Sequence, residues 1–375
     1  TQHAEITGSL DPVAELADTS KPYSVELNLI AGNLELHING SIRDPVRGRG
    51  MELQLTVEDA SVSDTLKLFD KTAPEIGALT ASCGVSGDYA SPSLRDIDIQ
   101  LLRGNEVDFR VKGGVSDLIT GQGLDLDIDG RSSDPQVLSW LLFMKRDKVE
   151  SLSLSGRIVE EHGRFLLRGV DARARSRQGL ETRLSGNTRL PSRKEPRPAD
   201  GEALSFKLTA PSMAALNLPE FGKLPEFGRV TGSASYRPYR DGTGFFDVRL
   251  EAGTEEQVRA TATGSIGYIP YTFDTGPSEI DLDVNLSAVD SATLGEVLDY
   301  KLPELGAVRL DMQVTGDTGN LRVDGIRLET GPADQPVIRA SGSLRTQFRE
   351  HTSTMALTFD AAVADIVAAF RQVPS

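Results

Sequence analysis

Along most of this chain, apolar and polar residues alternate one by one. Tyr23, Val25, Leu27 and Leu29 are separated by Ser24, Glu26 and Asn28, and after the turn Ala31-Gly32-Asn33 come Leu34, Leu36 and Ile38. A period of two places successive side chains on opposite faces of an extended strand, so this segment predicts a hairpin. The same alternation continues through Met51, Leu53, Leu55 and Val57; Ile97, Ile99 and Leu101; Val107, Phe109 and Val111; and Leu124, Leu126 and Ile128. It returns at Leu204, Phe206 and Leu208; at Phe246, Val248 and Leu250; at Ile280, Leu282, Val284 and Leu286; and at Met355, Leu357 and Phe359. The intervening positions are mostly charged or hydroxylated, so each strand has one apolar and one solvated face, the habit of antiparallel sheets.

Short helical patterns fall between the strands, near 61–73, 134–146, 211–217, 291–300 and 361–371. The stretch Val289 to Gly316 shows the unit most clearly. Ser291 is a candidate cap. Leu294, Val297 and Leu298 share a helical face, and Pro303 and Gly306 supply a stop. Val308, Leu310, Met312 and Val314 then alternate as a strand.

The unit repeats about every 75 residues. A glycine after a strand recurs at Gly40, Gly114, Gly186, Gly264 and Gly342, with gaps of 74, 72, 78 and 78. A turn recurs as Pro74-Glu75-Ile76-Gly77, Pro225-Glu226-Phe227-Gly228 and Pro303-Glu304-Leu305-Gly306, with a partial copy at Pro219-Glu220-Phe221-Gly222. Two markers with one spacing indicate internal repeats. The approximate repeats are 1–40 (partial), 41–114, 115–186, 187–264, 265–342 and 343–375 (partial), forming one continuous body across 1–375. Residues 191–201, rich in Pro and charge, read as an exposed loop within it.

With roughly five strands per repeat the chain holds on the order of twenty, too many for a flat open sheet. The expected fold is mainly β: an elongated, curled antiparallel sheet forming a hydrophobic groove, with short helices between strands. At ~4.8 Å per strand such a groove would run about 95 Å. An apolar face of that size requires an occupant, and acyl chains suit it because they need no hydrogen bonds.

Composition narrows the function classes. The formal net charge of −15 argues against nucleic acid and against attachment to anionic headgroups. The single cysteine, Cys83, excludes an internal disulfide and a Cys-based zinc cluster. There is no apolar run long enough to span a membrane as a helix. The chain opens at Thr1 without Met and ends on a helical pattern, which reads as a piece of a longer protein.

Local motifs for catalysis are weak. Asp125-Leu126-Asp127-Ile128-Asp129-Gly130 opens like a calcium loop, but Gln136 stands where the bidentate Glu belongs, and a strand with a wet aspartate face is the simpler reading. Gly84-Val85-Ser86-Gly87 is too short for a nucleophile elbow. The histidines His3, His37, His162 and His351 form no HExxH. The expectation is a protein with no enzymatic activity, no cofactor and no metal. The candidate lining of the groove is Leu27, Leu36, Leu53, Leu55, Ile97, Ile99, Phe109, Leu124, Leu126, Ile128, Phe206, Val248, Leu282, Val284, Leu310, Met312 and Leu357. The run Val137 to Met144 is apolar nearly all round. Its Leu138, Trp140, Leu141 and Phe143 are either packed in the groove or under a loop, or form a gate or contact helix, edged by Lys145, Arg146 and Lys148.

The Gly-Ser-Ile and Gly-Ser-Leu strand ends, the helix before Leu-Pro-Glu-Leu-Gly and the stepped apolar and acidic strands resemble the AsmA-like (TamB/YhdP-like) family of Gram-negative envelope proteins, related to the repeating β-groove, chorein-type lipid-transfer proteins. The resemblance runs from about Val25 to Phe370 and lies in the repetition. It implies a periplasmic segment of an inner-membrane-anchored protein. Such a segment conducts phospholipid acyl chains between inner and outer membranes, with the rest of its own chain and outer-membrane assembly proteins as partners. The competing reading is an envelope scaffold that binds outer-membrane proteins through exposed sheet edges without carrying lipid. A carbohydrate-binding β protein ranks last, because only 6% of residues are aromatic and no exposed cluster is evident.

Overall fold

The computed structural model describes residues 4–16, 18–59, 61–67, 74–141, 149–192, 202–216, 225–271, 276–332, 336–347 and 352–361. Two compact units emerge, Thr1–Arg177 with Ser185–Leu190, and Gln178–Leu184 with Pro191–Ser375. The first holds β1 (Ala4–Leu10), β2 (Tyr23–Ala31), β3 (Leu34–Asp44), β4 (Arg49–Asp59), β5 (Ala78–Asp88), β6 (Ser91–Arg103), β7 (Val107–Val115), β8 (Asp125–Ser132), β9 (Ser151–Glu161) and β10 (Arg164–Arg175). Each pairs antiparallel with the next. β11 (Glu181–Arg189) follows. The second unit holds β12 (Leu204–Ala210), β13 (Val230–Pro238), β14 (Gly242–Gly253), β15 (Val258–Pro270), β16 (Ser278–Ala288), β17 (Val308–Asp317), β18 (Asn320–Thr330), β19 (Ile338–Gln347) and β20 (Thr352–Ala361). They pair in the same successive way. The protein is therefore mainly β, an open antiparallel meander, as the alternation predicts.

Among the described residues the helices are few and short: α1 (Val62–Lys67), α2 (Pro135–Leu141) and α3 (Ser291–Leu298), with a 3₁₀ turn at Ala214–Leu216. They follow β4, β8, β16 and β12 respectively, one after every fourth strand, and a further 3₁₀ turn, Val13–Glu15, follows β1. The predicted helix at 361–371, the partial turn at Pro219–Gly222, the loop beyond Ser192 and the ends of the helices near 61–73 and 134–146 lie outside the described residues.

The backbone records the repeat more sharply than the side chains do. Asp96, Gly169, Asp247 and Gly325 have φ of 51°, 59°, 51° and 63°, and each sits in a register shift of its strand. These β-bulges occur in β6, β10, β14 and β18. Seventeen residues after each bulge stands a glycine: Gly113, Gly186, Gly264 and Gly342. The residue following the bulge pairs with that glycine, as Ile97 with Gly113, Val248 with Gly264 and Ile326 with Gly342.

Two expectations are corrected here. The repeat contains four strands and not the roughly five expected, four lying between one helical segment and the next. In the second repeat the marker glycine is Gly113 and not Gly114. Gly113 has φ 142°, matching 141° at Gly40 and Gly264. A Cβ there would stand 1.9 Å from the Asp125 carbonyl oxygen, as it would 2.1 Å from Glu52 O at Gly40 and 2.0 Å from Asp281 O at Gly264. Only glycine lets the neighbouring strand come this close.

The cap of α3 also differs from expectation. Asp290 is the N-cap, its carboxylate accepting from the Thr293 amide at 2.7 Å. Ser291 lies inside the helix, buried, and its hydroxyl donates to Pro303 O at 2.6 Å and accepts from Leu305 N at 2.8 Å. The helix ends at Leu298, where Asp299 turns left-handed (φ 58°), ahead of Pro303. Leu298 is exposed, so only Leu294 and Val297 of the expected face pack inward. The Pro-Glu-X-Gly turn folds back on the helix start: Gly306 O accepts from Ser291 N, and Gly77 O accepts from Val62 N. Gly77, Gly228 and Gly306 all have positive φ, which explains the final glycine of the motif.

In each unit the buried clusters sit along one rim of the strands, while Tyr23, Val115, Leu204 and Tyr239 are buried near the other strand ends. In the first, Ile76, Val107 and Val137 form a buried cluster joined by Val62, Leu101 and Phe109, so α1 and α2 share it. In the second, the 3₁₀ turn packs on Ala210, Val230 and Ala252, and α3 packs on Val258, Ala288 and Val308, with Phe227 touching both clusters.

Candidate functional site

Directly opposed residues in an antiparallel ladder share a face of the sheet. In the first unit, Ile6, Leu29, Leu36, Val57, Ala81, Ile99, Val111 and Ile128 succeed one another in directly paired positions from β1 to β8. One residue along, the row reads Asn28, His37, Thr56, Ser82, Asp98, Lys112, Asp127 and Arg157. In the second unit, Ala210, Val230, Ala252, Ala260, Leu286, Leu310, Leu328 and Ala340 form an unbroken apolar row. Its neighbour is Thr209, Thr231, Glu251, Thr261, Asn285, Asp311, Arg327 and Ser341. Each unit thus has one apolar and one wet face.

The expected lining residues fall on the apolar faces. Leu27, Leu36, Leu53, Leu55, Ile97, Phe109, Leu126 and Ile128 in the first unit are half-buried, and Ile99 is exposed. Leu124 lies in the turn before β8. Phe206, Leu282, Val284, Leu310 and Met312 in the second unit are half-buried, and only Val248 is fully so. Leu357 takes a register position opposite Gly342, with its side chain outside the described residues. Outside the helix-covered rim, most of these apolar side chains are only partly covered by protein.

Three of them, Phe206, Val248 and Val284, come together around a cavity of about 510 Å³ in the second unit. Its floor is formed by β12 to β16. Leu180, Met213, Leu216 and Phe227 wall it at the helix-bearing side, and Phe245, Ile266 and Ile269 lie toward the other ends of the strands. The lining is almost wholly apolar: Glu251 and Thr261 border it from strands whose polar row faces away.

Beyond Phe245 lies an aromatic group that the sequence reading missed. Phe206 and Phe245 meet edge to face at 5.2 Å, and Tyr236 meets Phe245 at 5.5 Å. Tyr239 stacks on Tyr268 at 6.1 Å, and Arg237 lies over Phe246. Tyr271 is 53% exposed, and its hydroxyl lies close to that of Tyr236. Partial burial, then the contact with Tyr236 and the nearby Asp241, pushes the Tyr271 phenol well above its ordinary value, so it stays a neutral donor. Four of the chain's seven tyrosines meet here. The signal in the sequence was the density of Tyr, Phe and Gly between Tyr236 and Tyr271.

The other candidates resolve structurally. Asp125, Asp127 and Asp129 lie along the extended β8 on its wet face and do not wrap a loop. Arg157 donates to both Asp125 oxygens at 2.5 Å, and this bonding holds the carboxyl below the usual range. Gly84 to Gly87 lie within β5, with no strand-to-helix turn. Cys83 faces Leu55 across the ladder, and burial raises its thiol pKa. His37 lies on β3 and His162 between β9 and β10; His3 and His351 are outside the described residues. Leu138 is 1% exposed, packed beside Val137, so it presents no contact surface. The side chains of Trp140 and Leu141, and all of Phe143, Lys145, Arg146 and Lys148, lie outside the description. Among the described residues, no helix is long and apolar enough to cross a membrane.

Comparison with family models, curated proteins and solved structures gave no match. The functional reading therefore rests on geometry and pattern.

Proposed function

We propose that the apolar sheet faces bind lipid acyl chains, and that the protein serves as the groove section of a bridge-like lipid-transfer protein of the AsmA-like kind, working in the periplasm between inner and outer membranes. The observation that supports this is the apolar face that crosses strand after strand in each unit, on which side chains such as Leu36, Leu53, Leu282 and Val284 are only partly covered by protein. A surface of this kind lowers its free energy by about 25 cal/mol for each Å² it removes from water, and acyl chains supply that cover without needing hydrogen-bond partners. Headgroups would remain in water at the rims. No residue performs chemistry in this reading; the continuous stripe is the working part.

A photoreactive residue at Leu250, on the apolar face, is expected to cross-link to phospholipid that co-purifies from an envelope preparation. The same residue at Glu251, on the wet face, is expected to give little. Equal labelling at both positions would overturn the reading. A second reading, a scaffold that adds a partner's strand, draws on β1, all of whose residues are exposed. Native mass spectrometry separates the two, since the scaffold would carry no bound lipid.

A further inference from the structure

We infer that Tyr236 and Tyr271 form a polar end-station for the 510 Å³ cavity, which takes one acyl chain with an uncharged ester oxygen held at the two hydroxyls. This rests on the acyl-chain reading above and gives that site its ligand class.

The argument begins with register. Tyr236 pairs with both Leu204 and Phe245, and Phe245 lines the cavity, so the Tyr236 ring stands on the apolar face one ring beyond the cavity end. The rings of Tyr236 and Phe245 touch at 5.5 Å. The Tyr271 hydroxyl lies close to that of Tyr236 and its side chain is 53% exposed, while its amide donates to Asp241 O at 3.1 Å, which places the pair where the cavity meets water. Tyrosine suits such a boundary, with an apolar body and a polar tip. The opposite side of the cavity is closed by Leu180, Met213, Leu216 and Phe227, all without a charged group. A ligand with one polar end is therefore oriented, chain inward and head at the tyrosines.

Size and charge narrow the class. A cavity of about 510 Å³ lies in the range of small-ligand sites and has room for an acyl chain. Asp241 lies close enough to Tyr271 to raise its pKa by charge. The same carboxylate disfavours a fatty-acid anion at the hydroxyls and leaves an ester carbonyl acceptable. Free monoacylglycerol and the acyl ester of a monoacyl phospholipid share this chemistry.

The test uses the intact chain and diphenylhexatriene, an apolar fluorophore without oxygen, as the cavity probe. Monomyristoylglycerol, lysophosphatidylcholine of the same chain and myristate compete for it, each below its aggregation limit. In the wild type, an ester competitor is expected to displace the probe more strongly than myristate; which of the two esters does so distinguishes the glyceride from the phospholipid. The Tyr236→Phe/Tyr271→Phe variant keeps both rings. It is expected to bind the probe unchanged while ester competition weakens about five- to a hundredfold, the effect of two lost hydrogen bonds. Asp241→Asn is expected to strengthen myristate competition alone. Unchanged ester competition in the double variant, or loss of probe binding with it, overturns the end-station and leaves the acyl-chain reading standing. A wild-type chain that binds no probe overturns both.

Discussion

Glycine inside a strand normally weakens it, because it costs backbone entropy and offers nothing to pack. At Gly40, Gly113 and Gly264 the opposite holds, since any side chain would meet a neighbouring carbonyl oxygen near 2 Å. Gly264→Ala is therefore expected to destabilise by about 1–3 kcal/mol, the scale of a strained backbone position. Gly156→Ala, whose new methyl would meet its nearest atom at 3.5 Å, is expected to stay within about 0.5 kcal/mol of wild type in chemical denaturation. At this scale the sequence was partly legible. The recurring glycines stood out, but in Gly113-Gly114 nothing in the letters says which one carries the close approach. The bulges were hidden because Asp96 and Asp247 occupy the conformation that Gly169 and Gly325 take elsewhere. Their common feature is a backbone angle, and side-chain pattern does not report it.

At the scale of elements, the strands followed directly from alternation, while the helices needed contacts from outside themselves. Arg103 shows why. Its guanidinium donates to Glu75 O, in the turn after α1, and to the Asp134 carboxylate, which caps α2 by accepting from Gln136 and Val137 amides at 2.6 and 3.2 Å. No spacing rule connects 75, 103 and 134. Burial raises the Asp134 pKa, but the bonds from Arg103 and the two amides outweigh it and hold the carboxyl below its ordinary value. A carboxylate depressed in the folded state contributes stability that is present above the unfolded value near 4, and that stability fades as pH falls through the lower folded pKa. Asp134→Ala is thus expected to lose about 1–2 kcal/mol at pH 7, with the gap to wild type narrowing below about pH 4. Urea titrations at pH 7 and pH 3 check this; a gap independent of pH would contradict it.

At the scale of the whole molecule, the division into an apolar and a wet face was legible from the start, since a period of two fixes it wherever strands pair in register. The cavity was not, because its walls come from Leu180, Met213 and Phe227, which no local pattern joins. The charge of −15 lies where water is: Asp281, Asp283 and Asp311 are all exposed, and neighbouring strands exchange ion pairs such as Arg259–Glu251 at 2.9 Å. Leu282→Asp, which puts a charge on the apolar face, is expected to reduce co-purifying lipid severalfold. Asp283→Asn, on the wet face, is expected to leave it unchanged. Lipid quantified by mass spectrometry after purification decides, and equal effects would exclude a working apolar stripe.

The four-strand repeat has a consequence for how such a chain changes length. Four is even, and a meander reverses direction at each strand, so the helical segment after each fourth strand returns to the side it started from. Excising or duplicating the 73 or 78 residues between one bulge and the next would conserve side-chain parity, the seventeen-residue spacing and the placement of helices together. Inserting a single strand would throw the next helix across to the opposite side. Growth by complete modules is the step this architecture tolerates, and each module adds about 19 Å of sheet at ~4.8 Å per strand.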